Sequence, residues 1–230
     1  MSWLSQNYLL LWELTVAHLR IAIPAILAAV IISIPVGWAA TRSKRWGSPL
    51  LTALSLLYAI PSLPMLVVIP VIVGIALRSE LNIIIVLALY GIAVLIRQVA
   101  SALTSLPASV LESADAAGMS SWRKFIGVEL PLALPVIIAG VRVVVVSTVS
   151  LVTVGAFIGI RSLGTLFTDG FQRGLVSEVF AGLVATVLVA LVLDALTIAV
   201  GALLTPWTRP GSAPHRSPVS SPRLKAEVTA

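Results

Sequence analysis

Apolar residues dominate this sequence in five long runs, which short polar segments separate. The runs cover residues 17–40, 50–77, 81–96, 132–160 and 179–204. A helix needs about 20 mainly apolar residues to cross roughly 30 Å of hydrocarbon, so each run is a candidate membrane span. The pattern predicts an all-α, polytopic membrane protein with about five transmembrane helices, whose membrane domain covers residues 17–208.

The composition excludes an ordinary soluble domain, because 59% of the residues are hydrophobic and only 10% are charged. Soluble domains carry about a quarter charged residues. The chain has no cysteine, and its two histidines, His18 and His215, cannot form a histidine-based metal cluster. We therefore expect no catalytic residue, no metal site and no cofactor bound by this chain. The net charge of +6 is spread over short loops and a tail, so it does not indicate nucleic-acid binding.

The positive charges favour an orientation with the N-terminus outside and the C-terminus in the cytoplasm, because cytoplasmic loops are enriched in Lys and Arg. Ten basic residues then lie on the inner side: Arg42, Lys44, Arg45, Arg97, Arg123, Lys124, Arg209, Arg216, Arg223 and Lys225. Four lie on the outer side: Arg20, Arg78, Arg161 and Arg173. Residues 1–16 are expected to form an external segment. The first run lacks a preceding basic region and is too long for a secretory signal, so we expect it to remain a span.

Residues 209–230 are rich in Pro and Ser and poor in apolar side chains, which predicts a disordered cytoplasmic tail. Its basic residues could touch anionic lipid, although a passive tail is the preferred interpretation.

The polar segment 108–130, between the third and fourth runs, predicts two short helices joined at a glycine. Ser109 and Glu112 have the spacing of a capping box, in which each side chain accepts a hydrogen bond from a free backbone N–H. Gly118 suits the end of the first helix because it tolerates a positive φ. Ser120 or Ser121 can cap the second helix. In the orientation above, this segment faces the cytoplasm.

The same segment resembles the EAA loop of bacterial ABC-importer permeases. That pattern runs Glu-Ala-Ala, three residues, Gly, nine residues and Ile-x-Leu-Pro. Ser113 replaces the first alanine and Val128 replaces the isoleucine. The corresponding positions are Glu112, Ala114, Gly118, Val128, Leu130 and Pro131. The alternative is an ordinary loop, in which Glu112 is only a cap and Gly118 only a helix stop.

The resemblance implies that this segment is a coupling helix seated in a groove of a cytoplasmic ABC ATPase subunit. The residues it assigns to ATPase coupling are Glu112, Ala114, Asp115, Ala117, Gly118, Met119 and Arg123. ATP and Mg would be bound by that partner, because none of Lys44, Lys124 and Lys225 has the preceding glycines of a phosphate-binding loop.

Further partners are also implied by the resemblance. They are a second copy of the permease or a sister permease, an extracytoplasmic solute-binding protein and membrane lipid. The location implied is the bacterial cytoplasmic membrane. The chain would be a transport subunit and not an enzyme.

The second run contains Pro61, Ser62 and Pro64, which cannot form a continuous unstrained helix. Broken helices within a membrane often mark a translocation path, and a structural kink is an equally good interpretation. The sequence Ile60-Pro61-Ser62 also resembles the compatible-solute branch of the permeases, which serves glycine betaine, choline, carnitine or proline. Residues 155–164 resemble a glycine-rich turn of that branch, with Arg161 and Ser162 in place of two glycines.

The resemblance implies a permease subunit for a quaternary-ammonium or other compatible solute. Alternatives are an ABC permease for another small solute such as an amino acid, an ion-coupled secondary transporter, or a structural or signalling membrane subunit. ATPase-dependent uptake distinguishes these classes.

Arg142 and Asp194 are the ionisable residues deepest within the predicted spans. Each lies eleven residues from the cytoplasmic end of its span, counted from Pro131 and to Thr205. A charge within a membrane requires a partner or water. We therefore expect an intramembrane ion pair between them, with a substrate site as the alternative.

Overall fold

The computed structural model describes residues 6–43 and 45–208, so the predicted tail 209–230 and Lys44 lie outside the described residues. The described residues contain helices and turns and no strand, which confirms the all-α fold class. The α-helices are α1 Tyr8–Arg42, α2 Gly47–Leu56, α3 Ser62–Val73, α4 Glu80–Thr104, α5 Ala108–Ala116, α6 Ser121–Lys124, α7 Leu130–Val152, α8 Thr165–Arg173 and α9 Val176–Leu204. Short 3-10 turns follow α2, α7 and α9.

Four helices of the described chain are long and apolar enough to cross a membrane, and a fifth candidate is bent. The four are Tyr8–Arg42, Glu80–Thr104, Ser121–Ile158 and Val176–Leu204. The bent pair is Gly47–Ala59 with Ser62–Val73, and the chain bends by 114° between them. Two boundaries differ from the hydropathy pattern, since α1 begins at Tyr8 and not at residue 17, and α4 continues past residue 96 to Thr104. The early start of α1 has a tertiary cause, because Leu14 packs against Leu163 and Leu166.

Helix α4 lies at the centre of the core and packs against α1, α3 and α7. Its contact with α1 is close because small residues face each other. A Cβ added to Gly91 would lie 2.6 Å from the Cβ of Ala29, which is too close for two carbon atoms. Small residues at such contacts let membrane helices approach closely, since packing drives their association.

Two side chains of α4 donate hydrogen bonds to backbone carbonyls at and after the break in the second span. Backbone helix bonding stops at Ile60, which has an extended conformation (ψ 128°), and the Tyr90 hydroxyl donates to the Ile60 carbonyl. Pro70 lacks the N–H that would bond to the Leu66 carbonyl, and Asn82 Nδ2 donates to that carbonyl at 2.9 Å. Carbonyls freed by prolines within a membrane need such donors, because no water is available there.

Pro131 lies in the first turn of α7, a position that tolerates its missing N–H, but α7 is not separated from α6. A π-helical turn at Phe125–Glu129 joins α6 to α7, so that Ser121–Ile158 is one helix of 38 residues. The second helix of the polar segment is therefore rigidly continuous with a membrane span.

Candidate coupling site and solute path

Helices α5 and α6 are joined by a turn that requires glycine. Gly118 has φ +71°, a left-handed conformation that strains any residue with a Cβ. Its N–H donates to the Asp115 carbonyl at 2.9 Å, and the Met119 N–H donates to the Ala114 carbonyl at 3.2 Å. These two bonds form a Schellman motif, which satisfies the last carbonyls of α5. The sequence-based placement of Gly118 at the helix end is confirmed.

The two predicted caps differ in outcome. Ser120 caps α6, since its side chain accepts a hydrogen bond from the Arg123 N–H at 3.4 Å. The capping box at Ser109 and Glu112 is wrong, because α5 begins one residue before Ser109 with Pro107 as its N-cap. Pro107, with φ −60° and ψ 129°, occupies the N-cap position, so Ser109 lies within the first turn of α5 and cannot cap it.

Two ion pairs stabilise the polar segment, one within the segment and one between it and α1. Lys124 Nζ lies 2.5 Å from Asp115 Oδ1, and the lysine side chain is only 9% exposed. Arg42 Nη2, at the end of α1, lies 2.6 Å from Glu129 Oε1, whose side chain is 8% exposed. A buried charge is retained at low cost only with a partner, so the first contact holds α5 on α6 and the second holds the π-helical turn that contains Glu129 on the end of α1.

An aromatic cluster reinforces the same junction. The Trp38 ring lies 4.7 Å from Phe125 and 5.6 Å from Trp122, measured between ring centroids. The Arg42 guanidinium lies 5.6 Å from the Trp38 centroid, in a cation–π arrangement. Three residues of this junction were not assigned to the site from the sequence: Trp38, Glu129 and Lys124. The signal available in the sequence was that acidic, basic and aromatic residues occur at the ends of the predicted spans and in the polar segment.

The structure divides the residues assigned to ATPase coupling into two groups. Ala114 is buried and Met119 is half-buried, so both face the protein itself, and Asp115 contacts Lys124. The remaining four residues are exposed on α5, on α6 and at the turn between them: Glu112, Ala117, Gly118 and Arg123. We call these four exposed residues the coupling surface.

Arg142 on α7 and Asp194 on α9 meet in the membrane domain. Arg142 Nε donates to Asp194 Oδ1 at 2.7 Å, and Arg142 Nη2 donates to Asp194 Oδ2 at 2.8 Å. Two parallel bonds of this kind fix the orientation of both side chains. The sequence predicted that these two residues lie at the same depth in the membrane, and the structure shows them in direct contact. The side chains are 44% and 19% exposed, so the pair lies towards the surface of this chain.

The break in the second span places Pro61 and Pro64 at the surface of the membrane domain and Ser62 beside them, half-buried. The Tyr58 ring is also exposed there and stands edge-on to Tyr90, with 5.8 Å between centroids. The chain therefore presents an irregular backbone and a tyrosine at the point where α2 gives way to α3.

The turn after α7 is closed by a serine side chain. Ser162 is completely buried, and its hydroxyl accepts a hydrogen bond from the Gly164 N–H at 3.1 Å. The backbone N–H of Ser162 donates to Thr165 Oγ1 at 3.2 Å. The resemblance implies glycine at this position, and the serine found there forms hydrogen bonds within the turn.

A family model described as "Binding-protein-dependent transport system inner membrane component" matches residues 29–210. The chain belongs to this family. It is a permease subunit of an ABC importer, a multi-pass protein of the inner membrane whose role is transport.

Several curated relatives carry osmoprotectant names. The osmoprotectant import permease protein OsmW of Salmonella typhimurium is 34% identical over 197 residues, which cover 84% of this chain and 91% of OsmW. The glycine betaine/carnitine/choline transport system permease protein OpuCD of Bacillus subtilis is 30% identical over 178 residues, which cover 77% of this chain and 76% of OpuCD.

Solved structures share the fold. The permease fold matches a chain of the inward-facing MetNI methionine ABC transporter with a TM-score of 0.76 and 20% identity, over 87% of this chain and 98% of that one. A chain of an amino acid ABC transporter solved with histidines gives a TM-score of 0.64 at 13% identity, over 89% of this chain and 96% of that one. At these identities the likeness concerns the fold alone.

Proposed function

We propose that this permease imports a quaternary-ammonium or related compatible solute, of the class that includes glycine betaine, choline, carnitine and proline. The support is the likeness to OsmW and OpuCD, which extends over 84% and 77% of this chain. The second run adds Ile60-Pro61-Ser62, which resembles the same branch.

The driving force comes from a separate ATPase subunit that binds ATP and Mg and docks on the coupling surface. A docking element must be rigid to transmit a movement of its partner to the membrane. The polar segment has this property, because Lys124–Asp115 and Arg42–Glu129 fix it and α6 continues into α7. This permease subunit itself binds no nucleotide in our proposal.

The orientation places the coupling surface in the cytoplasm and the start of α1 outside. Among the described residues, Arg42, Arg45, Arg97, Arg123 and Lys124 then lie on the inner side. An extracytoplasmic solute-binding protein would deliver the solute at the opposite face.

A second permease, either another copy or a sister chain, completes the pore. One face of α3 lacks cover within this chain, since Val71 is 82% exposed and Ile72 is 73% exposed. The irregular segment at Pro61, Ser62 and Pro64 adjoins this face, and we place the solute path along it. A solute path through the membrane must be enclosed by protein on both sides, and one permease chain encloses it on one side.

The proposal is tested by purifying the permease with its co-expressed ATPase and binding protein and reconstituting the complex in vesicles. We expect uptake of labelled glycine betaine or choline that requires ATP hydrolysis and the binding protein. A non-hydrolysable ATP analogue is the matched control. Uptake of an amino acid such as methionine instead would overturn the solute class. Uptake driven by an ion gradient without ATP would overturn the ATPase coupling.

A further inference from the structure

A cavity of about 800 Å³ lies between the turn after α7, helix α8 and the start of α9. It is at the opposite end of α7 and α9 from the coupling surface, so it opens on the outer side in the proposed orientation. Sites for small molecules occupy roughly 300–1,000 Å³ and are mainly apolar with a few polar groups. This cavity has both properties.

Three phenylalanine rings line the cavity. Phe157 is 72% exposed and Phe171 is 85% exposed, and Phe167 is half-buried. Exposed rings of this size contribute little to the core of the chain, so Phe157 and Phe171 are available to contact a solute in the cavity. The face of an aromatic ring attracts cations, and weakly hydrated quaternary ammonium groups are the ligands most often bound in this way.

The cavity also carries two opposite charges. Asp169 lies on its wall, and within residues 6–43 and 45–208 no ion pair involves Asp169. Arg161 lies on the wall as well. Its guanidinium is 3.5 Å from Glu13, and both side chains are more than half exposed, so the contact is weak and leaves the arginine available.

We propose that this cavity is an outer subsite for a zwitterionic quaternary-ammonium solute. The trimethylammonium group lies against the phenylalanine rings and Asp169, and the carboxylate of the solute is bound by Arg161. This inference rests on the proposed function, which supplies the class of solute. The competing occupants are an uncharged apolar molecule and a segment of the solute-binding protein, and neither requires both charges.

The first test measures binding to the purified full-length permease in lipid nanodiscs by saturation-transfer NMR. The probes are choline and its neutral carbon isostere, in which a tert-butyl group replaces trimethylammonium. We expect choline to bind more tightly than the isostere. Asp169→Asn and Phe171→Leu should each weaken choline binding by about 2- to 30-fold, the range of cation–π and related contacts.

Phe180→Leu is the matched control, because Phe180 is 65% exposed on α9 and does not line the cavity. It should bind choline as the wild type does. Equal binding of choline and its isostere would show a merely apolar cavity and overturn the proposal. Wild-type affinity in both Asp169→Asn and Phe171→Leu would overturn it as well.

The second test separates the two ends of the solute. Arg161→Gln should weaken glycine betaine, which has a carboxylate, and leave choline, which has none, unchanged. Glu13→Gln removes the partner of Arg161 and should retain binding of both solutes. If Glu13→Gln reproduces the loss seen in Arg161→Gln, the ion pair and not a solute contact is responsible, and the role of Arg161 is overturned.

Failure of the subsite and failure of the proposed function give different results. ATP-dependent uptake of glycine betaine with unchanged choline binding in Asp169→Asn and Phe171→Leu would retain the function and reject the cavity. Absence of uptake of every quaternary-ammonium solute would reject the function. In that case the NMR measurement still decides whether the cavity binds the cation.

Discussion

Arg142 and Asp194 form a two-pronged ion pair that joins α7 to α9, with donor–acceptor distances of 2.7 and 2.8 Å. The two residues are 52 positions apart in the chain and occupy different spans. Because each charge would otherwise lie unpaired in an apolar environment, the pair sets how α7 and α9 are aligned along their lengths.

Removal of one partner of this pair should be worse than removal of both. Arg142→Met or Asp194→Leu leaves a single charge within the span, so each should lower the yield of folded protein, measured by size-exclusion chromatography after extraction. The double variant should recover part of the yield. The weak pair Arg161–Glu13 is the control, and Arg161→Met with Glu13→Leu should change the yield little. Additive losses without recovery at Arg142 and Asp194 would argue against the pair.

Gly118→Val should uncouple the permease from its ATPase. The left-handed conformation at Gly118 costs a residue with a Cβ about 1–2 kcal/mol, and the turn carries the coupling surface. The variant should insert into the membrane normally, while co-purification of the ATPase and uptake both fall. Gly127→Val is the matched control, because a Cβ there has no neighbour within 4 Å and Gly127 is not among the positive-φ glycines. Normal co-purification in Gly118→Val would contradict the coupling role.

Asn82→Leu should loosen α3. The substitution keeps the size of the side chain but removes the donor to the Leu66 and Leu77 carbonyls, both at 2.9 Å. An unsatisfied buried acceptor costs about 1–3 kcal/mol. We expect a lower melting temperature and faster amide hydrogen exchange in α3, with exchange in α7 unchanged. Gln98→Leu is the control, because Gln98 is exposed on the same helix. Equal protection of α3 in both variants would show that Asn82 does not hold it.

Cysteine labelling tests the orientation. The native chain has no cysteine, so a single introduced cysteine reports its own position. Ser121→Cys, beside the coupling surface, should react only with a reagent that reaches the cytoplasm. Ser177→Cys, at the exposed start of α9, should react with an impermeant reagent added outside. Labelling of Ser121→Cys from outside would reverse the orientation and exclude docking of a cytoplasmic ATPase there.

The sequence alone determined the features that depend on local composition and local backbone conformation. Long apolar runs specified the four spans and the bent fifth candidate, because each helix must satisfy its backbone internally and present apolar side chains to lipid. Gly118 specified the turn between α5 and α6, since a positive φ favours glycine at that single position. Pro61 and Pro64 specified the break in the second span for an equally local reason. Arg142 and Asp194 were matched by depth, which chain length and helical rise determine.

Tertiary structure decided the features in which a group required a partner from a distant part of the chain. Hydropathy could not place the start of α1 at Tyr8, because the burial of Leu14 depends on Leu163 and Leu166, which lie far away in the chain. The sequence pattern assigned Asp115 to ATPase coupling, and only the tertiary structure brought its carboxylate to Lys124 on α6. The carbonyls near the prolines acquire donors from Tyr90 and Asn82 on α4. A sequence pattern shows that a polar group needs a partner, but only packing in three dimensions determines which residue is close enough to supply it.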